Sequence, residues 1–165
     1  MAENRAEIKT RKMAKSDMAK VNDIDRSLYD KKRVTTWPFS FDIYWRVYGP
    51  KLCYVAELEG NVVGFIAGVI EHEERSKYLI RQPHGIAPSS LKSQKIGWIE
   101  MMGVHADHWG KGAGGALINA FSDECKKNNA TMRIVIRDDD ENLKIFLSRL
   151  NFKQAETVSF ERAPE

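Results

Sequence analysis

One stretch limits this chain more than any other. From Ile99 to Leu117 it reads IEMMGVHADHWGKGAGGAL: a strand-like run ending at Val104, five residues, then a glycine-rich turn opening a helical pattern. Main-chain N–H groups in such a turn, with a helix N-terminus behind them, form an anion site suited to a pyrophosphate. Glycine is needed because a Cβ would hold a phosphate away from the backbone.

The rest of the chain is read around that segment. Ile8 to Met13 reads as a short strand. Ser16 and Asp17 are N-cap candidates for a helix to about Tyr29, with Met18, Val21, Ile24 and Leu28 as its apolar stripe. Thr35 to Tyr48 is rich in aromatics and reads as a loop, then a short helix. Leu52–Ala56 and Val62–Ile70 flank Glu59-Gly60-Asn61, a hairpin signal. His72 to Lys95 is a long polar loop, and Ile96 to Val104 returns to strand. The glycine-rich run Gly110 to Gly115 opens a helix to about Asn128, and Thr131 to Ile136 alternates as a strand. Leu143, Phe146, Leu147 and Leu150 mark another helix, and a final strand or pair is expected from Phe152. This order predicts an α+β or three-layer sheet protein.

At 165 residues one domain is expected over residues 1–165. The longest apolar run, Val62 to Ile70, is half of the ~18 residues that a membrane span needs. The first residues are charged and lack the apolar core of a signal peptide, so a cytoplasmic location is expected. Cys53 and Cys125 have no metal-ligand spacing and read as core residues. A net charge of +3, with Lys and Arg scattered among Asp and Glu, argues against a nucleic-acid face.

Three interpretations compete for the turn. As a nucleotide triphosphate loop it fails, because Gly112 follows Lys111 where Ser or Thr is required. Gly110, Gly112 and Gly115 do satisfy the dinucleotide fingerprint, and Asp138 follows a strand further on. Against that, five residues separate Val104 from Gly110, the strand carries Glu100, and only 27 residues follow Asp138. The third interpretation is a resemblance. Val104-His105-Ala106-Asp107-His108-Trp109-Gly110-Lys111-Gly112-Ala113-Gly114 is similar to the acetyl-CoA signature of the GCN5-related N-acetyltransferases, Val-x-Pro-x-Tyr-Arg/Gln-x-x-Gly-x-Gly/Ala. Ala106 replaces its proline, and Trp109 replaces the Arg or Gln that helps to hold the pyrophosphate.

The resemblance implies a three-layer α/β/α fold: a mixed, mostly antiparallel sheet of six to seven strands with about four helices. It implies an N-acetyltransferase that binds acetyl-CoA, without a metal, and passes the acetyl group to a primary amine by direct attack. Met102, Val104, Trp109, Gly110, Lys111, Gly112, Ala113, Gly114 and Asn142 would bind the cofactor, with a backbone N–H near Met102 to Val104 polarising the thioester. Glu100 falls where members of the family carry a general base, and strand alternation would put it on one face with Met102 and Val104. For a lysine-type amine and an ordinary glutamate the proton transfer is uphill by about 6 pKa units, a gap that burial of the carboxylate narrows. The family's thiol-protonating tyrosine is replaced by Leu147, with Asp140, Phe146 and Phe152 at neighbouring motif positions. The expected partner is an amine-bearing small molecule or peptide, with no nucleic acid and no membrane, and a homodimer is left open. The missing tyrosine leaves a non-catalytic acyl-CoA-binding module as the alternative.

Overall fold

The computed structural model describes residues 7–29, 37, 39–72 and 95–154. They fall into two compact units, Met1–Val135 and Ile136–Glu165. The first unit is built on one sheet with strands in sequence order: β1 (Ile8–Lys12), β2 (Cys53–Leu58), β3 (Asn61–His72), β4 (Lys95–Val104) and β5 (Ala130–Ile134). The first four are antiparallel neighbours, and β5 joins β4 in parallel. The hairpin at Glu59-Gly60 closes through two left-handed residues, with φ of 52° and 78°.

The two faces of the sheet are covered by different helices, α1 (Met18–Tyr29) and α2 (Phe41–Tyr48) on one side and α3 (Ala113–Lys127) on the other. Val21 and Ile24 of α1 and Phe41 and Tyr44 of α2 pack with Val55, Phe65, Ala67 and Met101 in one buried cluster. Burying each such large side chain contributes about 1.5–3 kcal/mol. The Phe41 ring meets Phe65 edge-on at 5.1 Å, so the aromatic segment supplies core. On the opposite face α3 lies very close to the sheet. A Cβ at Gly97 would sit 2.3 Å from Cys125 Sγ, and one at Gly68 would sit 2.6 Å from the Phe121 ring. Both cysteines are buried free thiols, as a core role requires.

The three layers, the mostly antiparallel pairing and four α-helices agree with expectation, but the strand count does not. The described residues carry five strands instead of six to seven. Phe152–Gln154 are not extended into the sheet, and the rest of the expected terminal strand lies outside the described residues. The loop from 73 to 94 also lies outside them. Near the N-terminus, Asp17 does not cap a helix beginning beside it. Its carboxylate accepts from the Ala14 N–H at 2.8 Å and closes a short 3-10 turn, Lys15–Asp17, from which α1 continues. Arg11 grips the same carboxylate with two bonds, 2.7 and 2.9 Å, and also reaches Glu57. The second unit contains α4 (Glu141–Arg149), with Asp140 accepting from the Leu143 N–H at 3.0 Å as its N-cap.

Candidate active site

The strand β4 does two things at once. Through Lys95–Ile99 it pairs in parallel with Ala130–Ile134, and there β5 ends. β4 continues for five residues, Glu100 to Val104, still bonded to β3 but with no β5 partner. The divergence expected near Met102 to Val104 therefore begins at Glu100.

Glu100 sits at an irregularity in that strand. Ala67 is opposite Met101 and Gly68 is opposite Ile99, so Glu100 is an extra residue with no register partner. A bulge of this kind re-aims side chains and breaks the two-residue period. The glycines reveal the effect. A Cβ at Gly97 would meet α3, whereas one at Gly103 would meet Ile24 and Leu28 of α1. Val104 and Met102 thus share the α3 face, with Val104 opposite Gly64 and Met102 opposite Ile66. The shared face expected for Glu100, Met102 and Val104 does not survive the bulge. The half-buried carboxylate acts electrostatically on Tyr44, in the α1/α2 layer. Burial first, and then Cys53 and Glu100, raise the Tyr44 hydroxyl above its ordinary pKa. That hydroxyl is buried without a hydrogen-bond partner among the described residues.

Past Val104 the chain makes one 3-10 turn, Ala106–His108. His105 extends the β3 ladder by donating to Val63 O at 2.9 Å. Trp109 is 58% exposed, yet its indole N–H donates to Val104 O at 2.7 Å. Gly110 and Gly112 follow with φ of 76° and 92°, and a Cβ on either would meet no atom within 4 Å. This is the left-handed region where glycine alone carries no steric cost. α3 begins at Ala113 with Gly112 as N-cap, and no side chain caps it. Ala116 N–H closes the first helical bond, to Gly112 O at 3.0 Å. The Ala113, Gly114 and Gly115 N–H groups therefore precede any intrahelical acceptor, and the exposed Lys111 stands beside them. Open backbone, uncapped amides, a helix dipole and a cation together fit a diphosphate.

The structure therefore brings Met102, Val104, Trp109, Gly110, Lys111, Gly112, Ala113 and Gly114 into one strand–turn–helix, with Glu100 at its base. Asn142 is an exposed residue in the first turn of α4, in the second unit. Leu147 of α4 is buried, as befits a leucine standing at a tyrosine position. His105 Nδ1 accepts from the Asp107 N–H at 3.4 Å. Among the described residues no group of three or more His, Cys, Asp and Glu is placed to hold a metal ion. Two features escaped the sequence reading. The bulge was signalled by Gly68 inside an apolar strand, a common mark of such irregularity. The hydrogen bond of Trp109 had no signal.

The model of the acetyltransferase (GNAT) family matches residues 20–152. The chain belongs to that family. No curated protein matches it in sequence. Solved structures share its fold at low identity. Arabidopsis thaliana Naa50, in complex with the bisubstrate analogue CoA-Ac-MVNAL, is 18% identical with a TM-score of 0.64, covering 92% of this chain and 86% of that one. The aminoglycoside N-acetyltransferase AAC(6')-Iy, in complex with CoA, is 15% identical with a TM-score of 0.67, covering 99% of each chain. A ribosomal-protein-alanine N-acetyltransferase from Brucella melitensis biovar Abortus 2308 is 17% identical with a TM-score of 0.63, covering 96% of this chain and 100% of that one. Among the described residues no helix is long and apolar enough to cross a membrane.

Proposed function

We propose that this family member is an acetyl-CoA-dependent N-acetyltransferase that acetylates a primary amine by direct attack in a ternary complex. The observation that carries this is the uncapped α3 N-terminus, reached from β4 through two left-handed glycines. The family match runs across both compact units, which supports one catalytic domain. Acetyl-CoA supplies an activated acetyl thioester. Main-chain amides from Gly110 to Gly114, with Lys111, hold its diphosphate. Main-chain N–H groups of β4 between Met102 and Val104 face the thioester carbonyl, a role favoured where β4 has outrun β5. Glu100 takes the proton from the incoming amine, directly or through water. The half-buried position of its carboxylate at the bulge, close enough to act on Tyr44, supports this.

One similar structure holds the bisubstrate analogue CoA-Ac-MVNAL and another carries an aminoglycoside N-acetyltransferase name, which supports a primary amine as the acceptor class. The test is release of free thiol from acetyl-CoA with peptides, polyamines and aminoglycosides as acceptors. Turnover with at least one amine is expected. Glu100→Gln should lower kcat by at least about a hundredfold while leaving CoA affinity intact. CoA binding without thiol release from any acceptor would instead identify a non-catalytic acyl-CoA-binding module.

A further inference from the structure

We propose that Trp109 is a positioning residue for the phosphate turn: its indole N–H ties the turn to the last residue of β4, and a bound diphosphate meets main-chain amides, not this side chain. The proposal rests on the reading of the turn as a coenzyme A site and adds what holds the turn ready.

The argument starts from a mismatch. Trp109 is 58% exposed, so burial does little to fix its ring, yet its Nε1 lies 2.7 Å from Val104 O. That is a short N–H···O bond, and it spends the indole's single donor. A spent donor cannot also serve a phosphate oxygen. The acceptor is well anchored, because His105 N–H bonds Val63 O at 2.9 Å and extends the β3–β4 ladder past Val104. His108 N–H to His105 O at 2.9 Å and Trp109 N–H to Ala106 O at 3.1 Å close the intervening 3-10 turn. The indole bond thus passes the rigidity of the sheet to the residue immediately before the glycines.

Rigidity is needed at that point. Among the described residues no backbone acceptor is found for the N–H groups of Gly110, Lys111 or Gly112, and two of these three residues are glycines at positive φ. Glycines lose more conformational freedom on ordering than other residues. A tether upstream and the helix downstream leave only three residues to be ordered when a ligand arrives, which lowers the entropic cost of binding.

The test is calorimetry of the full chain with CoA, comparing wild type, Trp109→Phe and Trp109→Leu. Phenylalanine keeps an aromatic face and removes the N–H, and leucine removes both. Both variants should lose no more than a few degrees of Tm, the effect of one neutral hydrogen bond, and bind CoA about fivefold more weakly because the untethered turn must be ordered on binding. The same factor should appear with 3′-dephospho-CoA, since the turn serves the diphosphate common to both ligands. Wild-type affinity in Trp109→Phe overturns the tether, whatever leucine does. In the free wild-type protein, the indole N–H signal that Trp109→Phe abolishes should exchange slowly with solvent. Exchange as fast as that of a fully solvated indole overturns the proposal without reference to any variant's folding. Absence of CoA binding by wild type would sink the proposed function instead, and the indole exchange would still judge the tether.

Discussion

At the scale of single residues, the decisive positions in the turn are those where a side chain is forbidden. Gly112 combines a φ of 92° with its place as N-cap of α3. An alanine there would meet no neighbour but would hold a backbone conformation that L-residues reach only at about 1–2 kcal/mol. Gly112→Ala should therefore weaken CoA binding by about tenfold, measured by calorimetry, with a small change in Tm. The glycines, the preceding strand and the following helix were all legible in sequence, because turn chemistry and periodicity are local. The Trp109 bond was not legible, since it depends on how one 3-10 turn folds back on the end of β4. Asp17 reads in sequence as an N-cap of α1, whereas its carboxylate closes the 3-10 turn that precedes the helix. Its partner Arg11 was not legible, because that pairing is made across the first turn of the chain by tertiary geometry.

At the scale of elements, α3 and β4 fit together through missing side chains. Gly97→Ala would drive a methyl against Cys125 Sγ and should cost about 1–3 kcal/mol, read as a lower urea midpoint. Pairing it with Cys125→Ala removes the opposing sulfur, and the double variant should recover part of that loss, a coupling that the two single variants would not show if summed. The β1–α1 connection depends on charge instead. Arg11 holds the buried Asp17 carboxyl below the usual carboxylate range, chiefly by hydrogen bonding. Its stabilising effect is therefore fully present above the unfolded value near ~4 and lost as pH falls through the depressed folded value. Asp17→Asn should remove that effect, lowering stability at pH 7 by about 2 kcal/mol and flattening the acid side of the stability profile. Five of the expected strands formed within one or two residues of their expected limits. β5 stops at Ile134, short of the expected Ile136, and alternation alone does not tell where a strand parts from its neighbour.

At the scale of the whole molecule, the chain's only two thiols are both packed into the first unit. Burial pushes Cys53 up to about 12 and Cys125 up to about 11. Neither should react with a disulfide reagent at pH 8 in the native protein, and both should react after denaturation, so thiol titration with and without urea checks the packing. The three-layer plan was readable because the strand and helix patterns lie on different stretches of chain. The phase change inside β4 was not, since Glu100 occupies an ordinary place in the written alternation and is singled out only by its neighbours in β3. That extra residue acts as a spacer for the whole strand. Upstream of it the odd-numbered positions look toward α3, and downstream the even-numbered ones do. Excising Glu100 would therefore remove the carboxylate and the irregularity together: Ile99 would run directly into Met101 in unbroken alternation, with Gly97 still against Cys125 and Met101 still toward α1. The kink in β4 is thus the work of a single surplus residue, and a strand one residue shorter would run straight past α3.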